Sequence, residues 1–140
     1  MFGHHHSPAA IPLGPVSLRG DLEVPERGAY GLVLFSHGSG SSRLSPRNRF
    51  VAERLQKAGF ATLLMDLLTE EEDRERGNRF DIDLLTHRLL GVTRWARSQE
   101  HLAGLPLGYF GASTGAASAL RAAAELGREV RAVVSRGGRP

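Results

Sequence analysis

The 140-residue chain contains no cysteine, and aromatic residues make up only 6% of it. Without cysteine, it can form neither disulfide bonds nor thiolate metal sites, and it has no cysteine nucleophile. No apolar run approaches the roughly 20 residues needed to span a bilayer. The first ten residues also lack the hydrophobic centre of a secretory signal. We therefore expect a soluble cytoplasmic protein with no membrane partner.

Lysine is almost absent as well, because Lys57 is the single lysine beside many arginines. The formal net charge is +3, and acidic residues are interspersed among the basic ones, as in the segment EEEDRER at 70–76. A nucleic-acid-binding protein more typically gathers its basic charge on one face or tail, often with stacking aromatics. The scattered pattern predicts solvated surface charge and no nucleic-acid partner.

The chain length suits one domain, which we place at 15–140, preceded by a flexible tail over 1–14. The tail contains His4, His5 and His6, and three adjacent imidazoles cannot converge on one metal ion without other ligands. Just after it, period-2 alternation over 16–24 around Gly20-Asp21 predicts two short antiparallel strands.

From there on, the sequence alternates between apolar runs and amphipathic segments. The apolar runs predict buried strands at 31–36, 60–65, 105–110 and 130–135. The amphipathic segments predict helices that begin at Ser45-Pro46, at about Asp81 and near Ala116, with a polar loop at 69–79. This order predicts an α/β fold with a mostly parallel sheet and helices on both faces. In such sheets, functional residues collect at the carboxyl ends of the strands.

One chemical motif lies at such an end, where Gly111-Ala112-Ser113-Thr114-Gly115 fits the pattern G-x-S-x-G between a strand and a helix. A sharp turn there exposes the serine hydroxyl, and the flanking glycines let neighbouring backbone approach closely. The helix that follows directs its positive dipole end toward the reacting centre. We interpret Ser113 as a catalytic nucleophile, the alternative being an ordinary glycine-rich turn.

A second motif, His37-Gly38-Ser39-Gly40, follows the strand at 31–36. A glycine-rich loop there can present backbone N–H groups to the oxyanion of a tetrahedral intermediate. Ser39 and Thr114 are the candidate donors, while His37, Gly38 and Gly40 are expected to support the loop. A tight turn and a phosphate-cradling loop remain alternatives, although no nucleotide-binding glycine pattern follows any predicted strand.

The segments FSHGSGSSRLSPRN, MDLL and YFGASTGAASAL together resemble the α/β-hydrolase superfamily, and within it the dienelactone-hydrolase-like branch. The resemblance covers roughly residues 15–140. It implies a serine hydrolase that cleaves an ester, lactone or related acyl bond of a small molecule, with no cofactor and no metal. Ser113 then matches the nucleophile position, and Ser39 and Thr114 match the oxyanion-hole positions.

The family places its catalytic acid and histidine after the nucleophile, and this sequence has neither beyond Glu129. We therefore expect a fold truncated after the strand that follows the nucleophile helix, with weak or no activity on its own. His37 and Asp66 lie at the correct strand ends. Asp66 is retained as a possible auxiliary residue, whereas the histidine of such a loop normally supports it.

Truncation also predicts an exposed strand edge at 130–135, which favours a homodimer or a complementing C-terminal half. Two other functions remain open. The first alternative to a hydrolase is a non-catalytic, self-associating fold fragment. The second is a module that binds phosphate or another anion through the same two loops. The acidic run at 70–73 is interpreted as a solvated charge cluster.

Overall fold

The computed structural model describes residues 4–38 and 42–136, and these residues form a six-stranded sheet with helices packed against it. The strands are β1 His4–Leu13, β2 Val16–Pro25, β3 Leu32–Ser36, β4 Ala61–Met65, β5 Leu107–Ala112 and β6 Val130–Arg136. The α-helices are α1 Pro46–Lys57, α2 Glu70–Asp73, α3 Ile82–Ser98 and α4 Thr114–Leu126. Single 3-10 turns cover Arg76–Phe80 and Gly127–Glu129.

The strand order is β1-β2-β4-β3-β5-β6. β4, β3, β5 and β6 are parallel, whereas β1 and β2 pair antiparallel with their neighbours. α1 covers a small core on one face, which includes Phe35 and Phe110. α3 and α4 cover the larger core on the other face. The predicted α/β fold, with a mostly parallel sheet and helices on both faces, is thereby confirmed.

The four strands and three long helices predicted from the patterns are present, with ends shifted by about two residues. Ser45 caps α1 as its sequence position predicts, because its hydroxyl accepts a hydrogen bond from the Asn48 N–H. Asp81 caps α3 in the same way through the Leu84 N–H. None of the helices in the described residues is long and apolar enough to cross a membrane.

The prediction of a flexible tail over 1–14 is wrong for residues 4–13, which form strand β1. β1 pairs along its whole length with β2 around a turn at Gly14, and the side chain of Ile11 on β1 is fully buried in the core. The predicted hairpin inside 16–24 is also wrong, because β2 is one continuous strand. Pro8 and Pro12 obscure the strand pattern in the sequence, and an edge strand such as β1 tolerates them.

The prediction of a polar loop over 69–79 is only partly right, because this segment contains α2 and a 3-10 turn. Thr69 and Glu72 form a capping box at the start of α2. The Thr69 hydroxyl accepts from the Glu72 N–H at 3.1 Å, and the Glu72 carboxylate accepts from the Thr69 N–H at 3.0 Å. The T-x-x-E spacing that signals such a box is visible in the sequence.

Candidate active site

Ser113 lies at a sharp junction between a strand and a helix. β5 ends at Ala112 and α4 begins at Thr114, so Ser113 alone makes the turn. Its backbone has φ 55° and ψ −124°, and no other non-glycine residue in the described parts of the chain has a positive φ. The residue is exposed. A serine held in this costly conformation with an accessible side chain has the geometry expected of a nucleophile elbow.

The two glycines that flank Ser113 are required by close backbone packing. A Cβ atom on Gly115 would collide with the carbonyl oxygens of Ser36 and His37, at the end of β3. A Cβ atom on Gly111 would lie 2.7 Å from both Gly115 O and Ala116 Cα. These clashes involve main-chain atoms that cannot rotate away. The G-x-S-x-G spacing therefore lets α4 pass directly over the end of β3.

The loop after β3 meets the elbow at Gly38. A Cβ atom built on Gly38 would lie 2.7 Å from the Ser113 Cβ, 2.9 Å from the Ala112 carbonyl oxygen and 3.4 Å from the Ser113 hydroxyl oxygen. The backbone at Gly38 is thus in direct contact with the exposed serine. Two of the predicted loop residues, Ser39 and Gly40, lie outside the described residues.

His37 is buried, and both of its ring nitrogens face main-chain groups. Nδ1 lies 3.0 Å from the carbonyl oxygen of Gly38. This oxygen can only accept, so Nδ1 carries the proton. Nε2 accepts a hydrogen bond of 2.9 Å from the Leu67 N–H, just beyond β4. The neutral ring therefore bridges the loop after β3 and the segment after β4. Its two nitrogens are occupied, which leaves neither one directed at Ser113.

Asp66, at the end of β4, is bound to an arginine of the loop after β3. Its carboxylate accepts from the backbone N–H of Arg43 at 2.7 Å and from Arg43 Nη1 at 2.6 Å. The same guanidinium lies 3.5 Å from Asp21, which also faces Arg49 at 3.4 Å. Asp66 and Leu67 thus hold the loop after β3 at two points, one on each side of residues 39–41.

A hydrogen bond that was not predicted from the sequence joins the elbow to β6. The Ser113 N–H donates a hydrogen bond of 3.0 Å to the carbonyl oxygen of Arg136, the last residue of β6. The Arg136 guanidinium lies over the Phe110 ring at 5.9 Å and donates to the Asn48 side-chain oxygen at 3.0 Å. These partners are distant in sequence, so no local pattern reveals them.

A second missed interaction lies under α2, where Arg88 of α3 forms a paired contact with Glu72. Arg88 donates two hydrogen bonds to the Glu72 carboxylate at 2.7 and 2.5 Å, and the Arg88 side chain is buried. The hydrogen bonds from Arg88 lower the pKa of Glu72 to about 2, against partial burial, which raises it. The acidic run at 70–73 is therefore not simply solvated, since Glu72 serves a structural ion pair.

The described residues contain no group of three or more His, Asp or Glu side chains able to hold a metal ion. His87 and His101 are exposed, the first on α3 and the second in the turn before β5.

A cleft of about 370 Å³ opens beside His37, with Arg43 and Asp66 in its wall. Its other walls come from Ser17 and Arg19 on β2, from Leu44 in the loop after β3 and from Thr69 at the start of α2.

The chain resembles known proteins over most of its length. It is 64% identical over 130 residues to a protein of Mycobacterium tuberculosis named "Putative phosphoribosyl transferase", found alike in the CDC 1551 and H37Rv strains. That match covers 93% of this chain but only 29% of the relative, so the chain spans under a third of that protein. No protein-family model matches the chain.

Among solved structures, a dienelactone hydrolase from Anabaena variabilis is 56% identical and superposes with a TM-score of 0.93. The comparison covers 98% of this chain and 65% of the hydrolase. A dienelactone hydrolase-like promiscuous phosphotriesterase from metagenomic libraries is 19% identical with a TM-score of 0.77, over 96% of this chain and 59% of that protein. Est1E from Butyrivibrio proteoclasticus is 20% identical with a TM-score of 0.76, over 90% of this chain and 48% of Est1E.

The last two similarities concern the fold alone. Taken with the 56% identity to the Anabaena protein, they show that the chain has the α/β fold of dienelactone hydrolase-like proteins over the part it shares with them.

Proposed function

We propose that this chain carries the nucleophile and oxyanion-binding elements of a serine hydrolase that cleaves small-molecule esters, lactones or related acyl bonds. The observation that carries the proposal is the exposed Ser113 at φ 55°, with Gly38 in contact with it. A serine is held in this strained region where the surrounding structure imposes it, which is typical of functional sites. The 56% identity to a dienelactone hydrolase supports the same class of reaction.

In the proposed reaction, the Ser113 hydroxyl oxygen attacks the acyl carbon and its proton passes to a general base. The carbonyl oxygen takes up the electron pair, and its charge is stabilised by the positive end of the α4 dipole. The proposed N–H donors to this oxyanion are Thr114 and Ser39, of which Ser39 lies outside the described residues. Collapse of this intermediate expels the alcohol, which takes up the proton held by the base, and leaves an acyl-serine. Water then gives a proton to the base and attacks the acyl carbon, and the acid is released as the Ser113 oxygen takes that proton back.

The general base is proposed to come from outside residues 4–38 and 42–136. An unassisted serine hydroxyl is a weak nucleophile near neutral pH. His37 is occupied at both nitrogens and Asp66 is paired with Arg43, so neither is a suitable proton acceptor. Another segment of the full-length protein or a partner chain would supply the base. The name phosphoribosyl transferase belongs to a relative of which this chain covers 29%, and we assign no such activity to these residues.

Labelling of Ser113 by a fluorophosphonate in the full-length protein tests the proposal. We expect the wild type to be labelled and Ser113→Ala not to be. The matched control is Ser98→Ala, which removes an exposed serine at the end of α3. This control should be labelled like the wild type. Labelling that persists in Ser113→Ala, or hydrolysis of p-nitrophenyl esters no faster than in that variant, would refute the proposed function.

The homodimer or complementing segment expected from the sequence also remains a proposal. β6 forms one edge of the described sheet, and Val134 on it is 54% exposed. An apolar strand edge favours pairing with another strand. Light scattering after size-exclusion chromatography would test this, because a monomer of the 140-residue chain at micromolar concentration contradicts pairing between copies.

A further inference from the structure

The contact between Gly38 and Ser113 depends on a series of hydrogen bonds that leads away from the site. Gly38 accepts from His37 Nδ1 at 3.0 Å, and His37 Nε2 accepts from the Leu67 N–H at 2.9 Å. Leu67 is fully buried in the larger core. The orientation of the imidazole therefore depends on how the backbone at Leu67 is held.

The carbonyl group of the same residue is held by Arg88. Arg88 Nη1 donates to the Leu67 carbonyl oxygen at 3.2 Å while the guanidinium also binds both oxygens of Glu72. Glu72 in turn closes the capping box with Thr69, only two residues after Leu67. With its N–H bound by His37 and its C=O bound by Arg88, the Leu67 backbone is restrained on both sides.

We propose that Arg88, on α3, is a positioning residue for the reaction at Ser113, acting through Leu67 and His37 on Gly38. This inference rests on the proposed function. Within the described residues, the hydrogen bonds of this guanidinium go to Leu67 and Glu72 and not to Ser113 or Gly38. Its effect is to keep the Leu67 N–H directed at His37, so that the imidazole keeps one tautomer and Gly38 keeps its place against the serine.

The paired contact itself supports a local role beyond general stability. A buried arginine costs desolvation free energy, and this arginine directs its donors to one carboxylate and one carbonyl oxygen at the exit of β4. Arg79 offers a matched comparison, because it also binds a carboxylate of α2, Asp73, at 3.0 and 3.3 Å. Arg79 also donates to the Asp73 carbonyl oxygen, so its pair with Asp73 stays within the surface segment.

The test compares Arg88→Met, Arg88→Lys and Arg79→Met in the full-length protein. Ester hydrolysis is measured as kcat and KM, and the tautomer of His37 is read from its ring ¹⁵N resonances. We expect Arg88→Met to lower kcat about tenfold with KM changed less than about twofold, because misplaced reacting groups slow the chemical step. Arg88→Lys keeps a donor for the Leu67 oxygen and should recover part of the rate. Arg79→Met should match the wild type.

The spectrum of His37 separates this inference from the proposed function. In the wild type we expect one neutral tautomer with the proton on Nδ1, and in Arg88→Met a mixture of both tautomers. If wild type and Ser113→Ala hydrolyse esters equally slowly, the proposed function fails and Arg88 positions no reaction at Ser113, whereas the ¹⁵N spectra still show whether Arg88 sets the tautomer of His37. If Arg88→Met and Arg79→Met give the same His37 spectrum and the same kcat, Arg88 has only a structural role and the inference is wrong.

Discussion

Gly38 lies so close to Ser113 that a methyl group on its Cα would come within 2.7 Å of the serine Cβ. The contact joins the loop after β3 to the turn after β5, two segments that are far apart in sequence. It also places main-chain atoms of the loop beside the exposed hydroxyl. The arrangement of the candidate site therefore depends on a position that tolerates no side chain.

We expect Gly38→Ala to lower ester hydrolysis by about tenfold or more, because the added methyl pushes the loop away from the nucleophile. The same clash should reduce the free energy of unfolding by about 1–3 kcal/mol. Gly104→Ala is the control, because a Cβ atom there meets nothing within 4 Å. Kinetics and urea unfolding of both variants check this, and equal activity in the two variants would contradict it.

Gly115 and Gly91 make a second comparison, since both are glycines within α-helices. Alanine favours a helix by about 1 kcal/mol over glycine. At Gly115 this gain is outweighed, because the methyl would collide with the carbonyl oxygens of Ser36 and His37. We expect Gly115→Ala to lose about 3 kcal/mol or more of unfolding free energy.

At Gly91 the methyl would lie 3.1 Å from the side-chain carbons of Leu13, which can rotate. Gly91→Ala should therefore stay within about 1 kcal/mol of the wild type. Thermal unfolding of the two variants side by side measures the difference. A Gly115→Ala variant as stable as Gly91→Ala would mean that α4 does not pass so closely over β3.

Asp66 and Asp21 separate a positioning role from simple charge pairing. Both carboxylates face Arg43 and their side chains are equally exposed at 20%, but Asp66 also accepts from the Arg43 backbone N–H. We expect Asp66→Ala to slow hydrolysis about tenfold by loosening the loop, and Asp21→Ala to change it less than about twofold.

Asp66→Asn provides the decisive variant, because its side-chain oxygen can still accept from the Arg43 N–H. It should keep most of the activity and the pH–rate profile of the wild type. If Asp66 instead exchanges protons with the substrate, Asp66→Asn would be as inactive as Asp66→Ala and its pH–rate profile would differ.

The ion pair of Glu72 with Arg88 predicts a pH dependence of stability. The folded protein holds the pKa of Glu72 near 2, compared with 4.5 for an unperturbed carboxyl. Because the folded value is the lower one, the stabilising contribution is complete above about pH 4.5 and is lost as the pH falls toward about 2. The difference in unfolding free energy between wild type and Glu72→Gln should therefore shrink over this range. A difference that stays constant from pH 6 to pH 2.5 would be inconsistent with the pairing.

Much of the fold was predictable because its parallel strands are buried on both faces and read as continuous apolar runs. Residues 61–65 of β4 are buried at every position, and the sequence there contains no polar residue except Thr62. The prediction failed at β1, where two prolines interrupt the pattern of an edge strand. It also failed at α2, which is a four-residue helix held by its capping box.

The candidate site was predictable in its local features but not in its long-range contacts. The glycine spacing around Ser113 requires a tight turn, and that requirement can be read from the sequence. The bond from Ser113 to Arg136 and the bond from Arg88 to Leu67 join residues 23 and 21 positions apart. Such contacts depend on how strands and helices pack, and no spacing rule in a single sequence encodes them.

The close packing of Gly38, Gly111 and Gly115 around the nucleophile has a practical consequence for protein engineering. Positions 38, 111 and 115 cannot hold any larger side chain, so a mutant library aimed at new acyl specificity should leave all three unrandomised. Ser42 and Leu44 line the neighbouring cleft and are more promising positions to diversify. Selectivity in this scaffold would then evolve at the rim of the site while its centre stays invariant.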